Sequence, residues 1–290
     1  MPLNSNRTSF DKGYRHIAHV VPSGAGGVYS TLCAKYGGDS VFLATATTAQ
    51  LAFNAAINSL YGGVNDCVRV YPGTYVLGAT ISLTKTCTLE SSTGNARDVI
   101  IDAATSDVVG ITVGALGDYS QIKNISMSVP DTTNLTGISI PSTAPGCVVE
   151  GCIFTGDDTA AQIGIGNAGI GLTVRKCSFY LVRFGVKSTA GSYGLVEDCY
   201  FQTSNATSGI GVEFMAGDYH RIRNNTFNTS HANTLPIKLG TTTLCTLCGI
   251  ENNLFHAGQA VLVTNVNTST FAAWDNKTSG ITGAAVVDAT

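Results

Sequence analysis

The sequence predicts an all-β chain wound as a solenoid of about 25 residues per coil. Three observations carry that reading. A six-residue unit recurs along the second half of the chain, clearest as Ile250-Glu251-Asn252-Asn253-Leu254-Phe255. A second series of short alternating strands advances in step with it, as coils of a stacked repeat must. The second position of the unit is always charged, and its sign alternates from copy to copy.

Taken in chain order, residues 1–45 show neither period and read as an N-terminal arm for attachment or oligomerisation. Tyr14, Ile17, Val20 and Val21 are its candidate anchors. The solenoid domain is expected over residues 46–290. It opens with a capping helix over 47–60, where Phe53, Ala56, Ile57 and Leu60 recur at helical spacing between a Thr start and a Gly62-Gly63 stop. A helix of that kind covers the first coil and hides its edge. Residues 68–92 and 98–102 then supply three or four short strands.

The repeats follow. Copies begin at Ile122, Val149, Val174, Val196, Ile222 and Ile250, with a decayed seventh at Trp274. The companion series runs through Ile111, Ile138, Ile163, Val186, Val212, Ile237, Val261 and Val286. Strict alternation would put the first, third and fifth positions of the unit on one face, so the chain must bend at the third for the fourth and sixth to point inward. Asn and Gly tolerate the left-handed conformation such a bend needs, and Lys176 is the exception. The bend predicts a phenylalanine column (Phe154, Phe179, Phe201, Phe227, Phe255) and a cysteine column (Cys152, Cys177, Cys199). The cysteines give way to Asn225 and Asn253, whose amides can bond along the axis.

The charged second positions are Lys123, Glu150, Arg175, Glu197, Arg223, Glu251 and, in the decayed copy, Asp275. Stacked strands lie about 4.8 Å apart, so each charge would meet opposite charges above and below. Each exposed pair is worth ~0.2–1 kcal/mol, and a slip by one coil would set like charges together.

A capping helix, a Pro72-Gly73-Thr74-Tyr75 strand turn and units of the Ile-Glu-Asn-Asn-Leu-Phe type resemble the right-handed single-stranded parallel β-helix of the pectate-lyase-like superfamily, in the style of bacteriophage tailspike-like virion proteins. The resemblance covers residues 47–290 and is specific for architecture. It is unspecific for chemistry, because one fold carries lyases, hydrolases, adhesins and inert spikes.

Net charge −3 and a pI near 5.9 offer no basic footprint for nucleic acid, and no apolar run is long enough for membrane insertion. The opening residues lack the apolar core of a secretory signal, and nine cysteines fall within hydrophobic runs, which reads as buried thiols. Cys245 and Cys248 have redox or zinc half-site spacing, but no second pair accompanies them, so they too read as core. No cofactor and no metal is implied.

For catalysis the residues offer Asp157, Asp158 and His231. The adjacent aspartates resemble those of polygalacturonases, but the companion motifs of that family are absent, so a solvated turn is the expectation. His220, His231 and His256 fall at coil corners or in loops, near Arg183 or Arg221. In the companion strands, Thr112, Ser139, Gly164, Lys187, Glu213, Lys238 and Leu262 are expected to face out, which is not a calcium-binding surface. Two functional readings result. One is a bacteriophage virion protein, a capsid decoration or head-spike protein made in the host cytoplasm without a signal peptide. It would bind or reinforce rather than catalyse, as a homo-oligomer, with a trimer expected, among capsid or other virion proteins. The other is a polysaccharide lyase, a glycoside hydrolase or a tailspike adhesin acting on host surface glycan.

Overall fold

The computed structural model describes residues 16–22, 29–35, 40–63, 65–103, 109–129, 135–157, 162–202, 209–228, 234–256, 261–266, 269–279 and 285–288. Among the described residues the strands fall into three long sheets of 12, 9 and 9 strands, each stepping by one coil from residue 66 onward, with one further two-stranded ladder. One coil illustrates the rest. Thr173–Arg175 lies in the first sheet, Ser178–Tyr180 in the second and Phe184–Ser188 in the third. Each pairs in parallel with its counterparts one coil before and one coil after. This is the predicted single-stranded parallel β-helix. Among the described residues no helix is long and apolar enough to cross a membrane.

The bend between the first and second sheets is left-handed in every repeat copy: Asn124, Gly151, Lys176, Asp198, Asn224, Asn252 and Asp275 have φ between 50° and 64°. Lys176 adopts it at 54° despite its side chain. The seventh copy corrects the sequence register by one residue. Ala273 pairs with Ile250 and Trp274 with Glu251, so Trp274 occupies the charge position and Asp275 the bend. Asn276 sets this frame, because its Oδ1 accepts from the backbone N–H of Asn253 at 2.9 Å and from its Nδ2 at 3.0 Å.

The interior is columnar. Phe154, Phe179, Phe201, Phe227 and Phe255 stack with centroids 4.8–5.2 Å apart and planes within 9°. Beside them, Cys199 N–H donates to Asn225 Oδ1 at 2.9 Å, and Asn225 donates N–H and Nδ2 to Asn253 Oδ1, each at 3.0 Å. The asparagine column thus has a third member in Asn276. Cys152, Cys177 and Cys199 are buried and unbridged, as are all the cysteines whose side chains are described.

The third sheet departs from the sequence reading at two coils. Ile165 rather than Ile163 pairs with Ile138, and Val263 rather than Val261 pairs with Ile237. The outward column is therefore Thr112, Ser139, Gly166, Lys187, Glu213, Lys238 and Thr264, not Gly164 or Leu262. At the first of these coils the cause is room for rings. Gly164 turns inward against the Phe179 ring, where an added Cβ would sit 2.8 Å from it, and Gly185 stands likewise 2.6 Å from Phe201.

The capping helix α1 (Ala49–Ser59) buries Ala49, Ala52, Phe53, Ala56 and Ile57, and Phe53 meets the edge of Tyr75 at 5.3 Å. Part of the stretch read as an arm lies in the first sheet. β1 (His16–Pro22) pairs in parallel with β4 (Asp66–Val70) and antiparallel with β2 (Tyr29–Lys35), which pairs antiparallel with β3 (Ser40–Ala46). Ile17, Ala18 and Val20 are fully buried, so β1 is the solenoid's first rung; Tyr14 falls outside the described residues.

Candidate functional site

Along the outside of the first sheet the register aligns Arg69, Glu90, Lys123, Glu150, Arg175, Glu197, Arg223 and Glu251 in one column of alternating sign. Arg69 and Glu90 extend it two coils beyond what the repeat unit reveals. Arg69 Nε lies 3.2 Å from Glu90 Oε1, Arg175 Nη2 2.9 Å from Glu150 Oε2, and Arg223 Nη2 2.7 Å from Glu197 Oε2. The Glu197 carboxylate beside it holds the Arg223 guanidinium above its ordinary value. The register that would have opposed Asp275 to Glu251 instead puts the indole of Trp274 there.

On the third sheet Glu213 is buried between two ammonium groups, Lys187 Nζ at 3.9 Å and Lys238 Nζ at 3.7 Å. Thr241 donates to its Oε1 at 2.8 Å, and Lys187 lies 4.5 Å above the Phe184 ring. Desolvating a carboxylate costs several kcal/mol unless it is paired and hydrogen-bonded, and here it is both.

Of the three catalytic candidates the described residues include one, Asp157. Asp157 is exposed, two residues beyond the strand Ile153–Thr155, and accepts a hydrogen bond from Gln162 Nε2. Asp158 and His231 lie outside the described residues. His220 is buried, with Nδ1 accepting from Gly194 N–H at 3.1 Å, so Nε2 donates to Ala216 O at 3.1 Å. Its ring stacks on Phe214 at 3.9 Å, and burial holds it below its ordinary pKa. A histidine with both nitrogens filled and no solvent access positions the turn; it does not shuttle protons. Cys248 and Cys245 share a hydrogen bond that lowers the Cys245 thiol pKa and raises that of Cys248.

Two surface features are invisible to the repeat pattern. On the turn leading into the first sheet, Tyr119, Gly146, Gly171, Tyr193, Tyr219 and Leu247 all have positive φ. Backbone bonds to the next coil keep most of them in step, as from Tyr193 N–H to Asp218 O and from Tyr219 N–H to Thr246 O. Tyr193 and Tyr219 stack in parallel at 5.1 Å, and Tyr119, Tyr193, Tyr219 and Leu247 are all exposed. The second feature is an open cleft of about 730 Å³ at the last coils, lined by Arg223, Asn224, Glu251, Asn252, Trp274 and Lys277 among others.

No protein-family model matches this sequence, and no curated protein matches it. Among solved structures, the chain is similar to a variant of sacteLam55A from Streptomyces sp. SirexAA-E in complex with glucose, at 11% identity and a TM-score of 0.59. That likeness covers 88% of this chain and 55% of the other, so the chain spans about half the length of that protein. Pectin methylesterase from Aspergillus niger gives 16% identity over 79% of this chain and 82% of the other, with a TM-score of 0.48. ORF18 of Geobacillus virus E2 gives 13% over 82% and 59%, with a TM-score of 0.42. At such identities the likeness concerns the backbone alone, and with the three stacked sheets it gives the chain a parallel β-helix fold.

Proposed function

We propose that this chain is a binding and reinforcing protein of an assembled particle, a capsid decoration or head-spike protein of a bacteriophage virion, rather than a free enzyme. The turn column of Tyr119, Tyr193, Tyr219 and Leu247 carries the proposal. A left-handed backbone costs a residue with a Cβ roughly 1–2 kcal/mol, and the column uses glycine at 146 and 171, where that cost vanishes. Bulky apolar side chains at the other positions are exposed, so burial within the chain does not offset the strain. A partner surface meeting the flank at coil spacing would offset it. A neighbouring copy is such a surface, and a homo-oligomer, a trimer above all, would seat these residues between solenoids. Unbridged buried thiols suit a protein assembled in a reducing cytoplasm.

The test replaces Tyr193 and Tyr219 with Asn, which accepts the left-handed conformation. The double variant should keep or raise the melting temperature while losing self-association by sedimentation, and should fail to join particles that incorporate the wild type. Mass spectrometry of purified virions should find the chain at structural stoichiometry. A wild-type chain that is monomeric at all concentrations and absent from particles would sink the proposal. So would glycan turnover at a catalytic rate that is lost in Asp157→Asn with Asp158→Asn, or in Glu213→Gln.

A further inference from the structure

The last repeat breaks three rules of the column at once. Trp274 stands where alternation calls for a cation, Lys277 follows the asparagine, and Thr278 ends the phenylalanine stack. The indole lies over Gly249, where an added Cβ would come within 3.4 Å of it, beside the aliphatic stem of Arg221. It rests against the sheet yet stays 44% exposed. Two hollows meet at it. The 730 Å³ cleft is polar, and a second of about 330 Å³ is lined by Leu247, Phe271 and Thr270.

Within the polar cleft the hydrogen-bonding groups are already oriented. Asn252 Nδ2 donates to Asn224 Oδ1 at 2.8 Å, which fixes both amide planes and leaves the Asn224 amino group and the Asn252 carbonyl for a ligand. Asn276 is held from behind by the asparagine column. The cation that should neutralise Glu251 is turned away, because Arg223 gives Nε and Nη2 to Glu197 at 2.9 and 2.7 Å. Among the described residues no cation lies within the 4 Å ion-pair distance of Glu251, so its carboxylate is free to accept. The lining charges balance, with Arg223 and Lys277 against Glu251 and Asp275.

We infer that this cleft is a binding site for a neutral hexopyranose chain. An aromatic plate bordered by planar amides and a carboxylate is complementary to a sugar ring, whose C–H face is apolar and whose rim carries paired hydroxyls. An acidic sugar would meet Glu251 and Asp275 while Arg223 is already committed to Glu197, and a fully apolar ligand would strand the amides. The site takes the glycan lengthwise, one end on the indole and the rest across Asn224 and Asn252. This inference rests on the cleft alone and stands apart from the proposed particle role.

Trp274 is the chain's one tryptophan, so its emission reports the site directly. The full-length chain is titrated with maltohexaose, cellohexaose and laminarihexaose, and with tetragalacturonate as the acidic probe. At least one neutral hexamer should give a saturable shift in emission, and tetragalacturonate should bind at least about tenfold more weakly. Trp274→Ala, followed by calorimetry, and Glu251→Gln, followed by emission, should each weaken the neutral probe by about tenfold. Glu251→Gln alone decides the matter if the alanine variant does not fold. No response to any neutral probe at 10 mM (~3 kcal/mol), tighter binding of the acidic probe, or affinity unchanged in the foldable variants would overturn the inference. An emission shift on diluting the protein without sugar would also overturn it, by assigning the cleft to contact between copies.

Discussion

Arg223 holds Glu197 through two nitrogens on one carboxylate oxygen, Nη2 at 2.7 Å and Nε at 2.9 Å, across one step of the first sheet. The pair is partly exposed, so its free energy is modest and screened by salt. Its effect on register is larger. Sliding the stack by one coil would replace each such pair with a like-charge contact.

Arg175→Glu should show this at a site away from the cleft. The variant places three carboxylates in succession at 150, 175 and 197. The expected loss is about 1–2 kcal/mol in low salt, falling by half or more in 1 M salt. Thermal unfolding at both salt concentrations checks it, and equal losses would exclude an electrostatic origin.

Gly185→Ala should be severe. The new methyl would sit 2.6 Å from both the Phe201 ring and the Gly211 carbonyl, neither of which can yield without moving a whole column. Overpacking of this kind costs about 1–3 kcal/mol or more. Gly78→Ala, which meets nothing within 4 Å, serves as the control and should be close to neutral in a denaturant titration.

Thiol chemistry should separate native from unfolded protein. Burial pushes Cys87 up to about 12, Cys147 to about 11 and Cys152 and Cys177 well above the ordinary thiol range. Thiolate is the reactive form, so these residues should resist iodoacetamide in the native state and react fully in denaturant. Labelling of Cys152 or Cys177 in folded protein, located by peptide mapping, would contradict the buried column.

Stability should fall as pH drops from about 6.5 toward 4. His19 is held at about 4 by burial and by the Arg69 charge, and burial also lowers His220. Both folded-state values lie below the unfolded one of about 6.5, so the folded state binds fewer protons. Their contribution is complete above pH 6.5 and lost on acidification, up to about 3 kcal/mol for His19. His19→Gln should flatten the dependence of melting temperature on pH between 7.5 and 4.5, and a parallel curve would assign it elsewhere.

Much of this interior is legible in the sequence because each column repeats one chemical demand. Phe179 under Phe201, or Asn225 over Asn253, is visible as soon as the six-residue units are aligned. Where the demand weakens, legibility goes with it. Phe271-Ala272-Ala273-Trp274 lacks a large aliphatic residue at the first position, so Trp274 looks like the inward residue until Asn276 is aligned with Asn253. Arg69 and Glu90 are hidden because the fourth positions of their units are Tyr71 and Ser92 rather than Asn or Cys, and a short 3-10 helix, Ala96–Asp98, interrupts the coil between Ser91 and Val99. The tyrosine column lies beyond any pattern argument, because left-handed backbone at Tyr193 and Tyr219 contradicts their residue preference.

The alternating column also quantises the length of the rod. One coil has a sign and its neighbour the opposite, so the true period is two coils, or about 50 residues. A duplication or deletion of a single coil inverts the phase of everything beyond it and sets like charges together at the junction, whereas a pair of coils leaves the phase intact. Solenoids of this lineage should therefore lengthen and shorten in even steps. At Trp274 the phase ends, and a coil added after it is released from that parity.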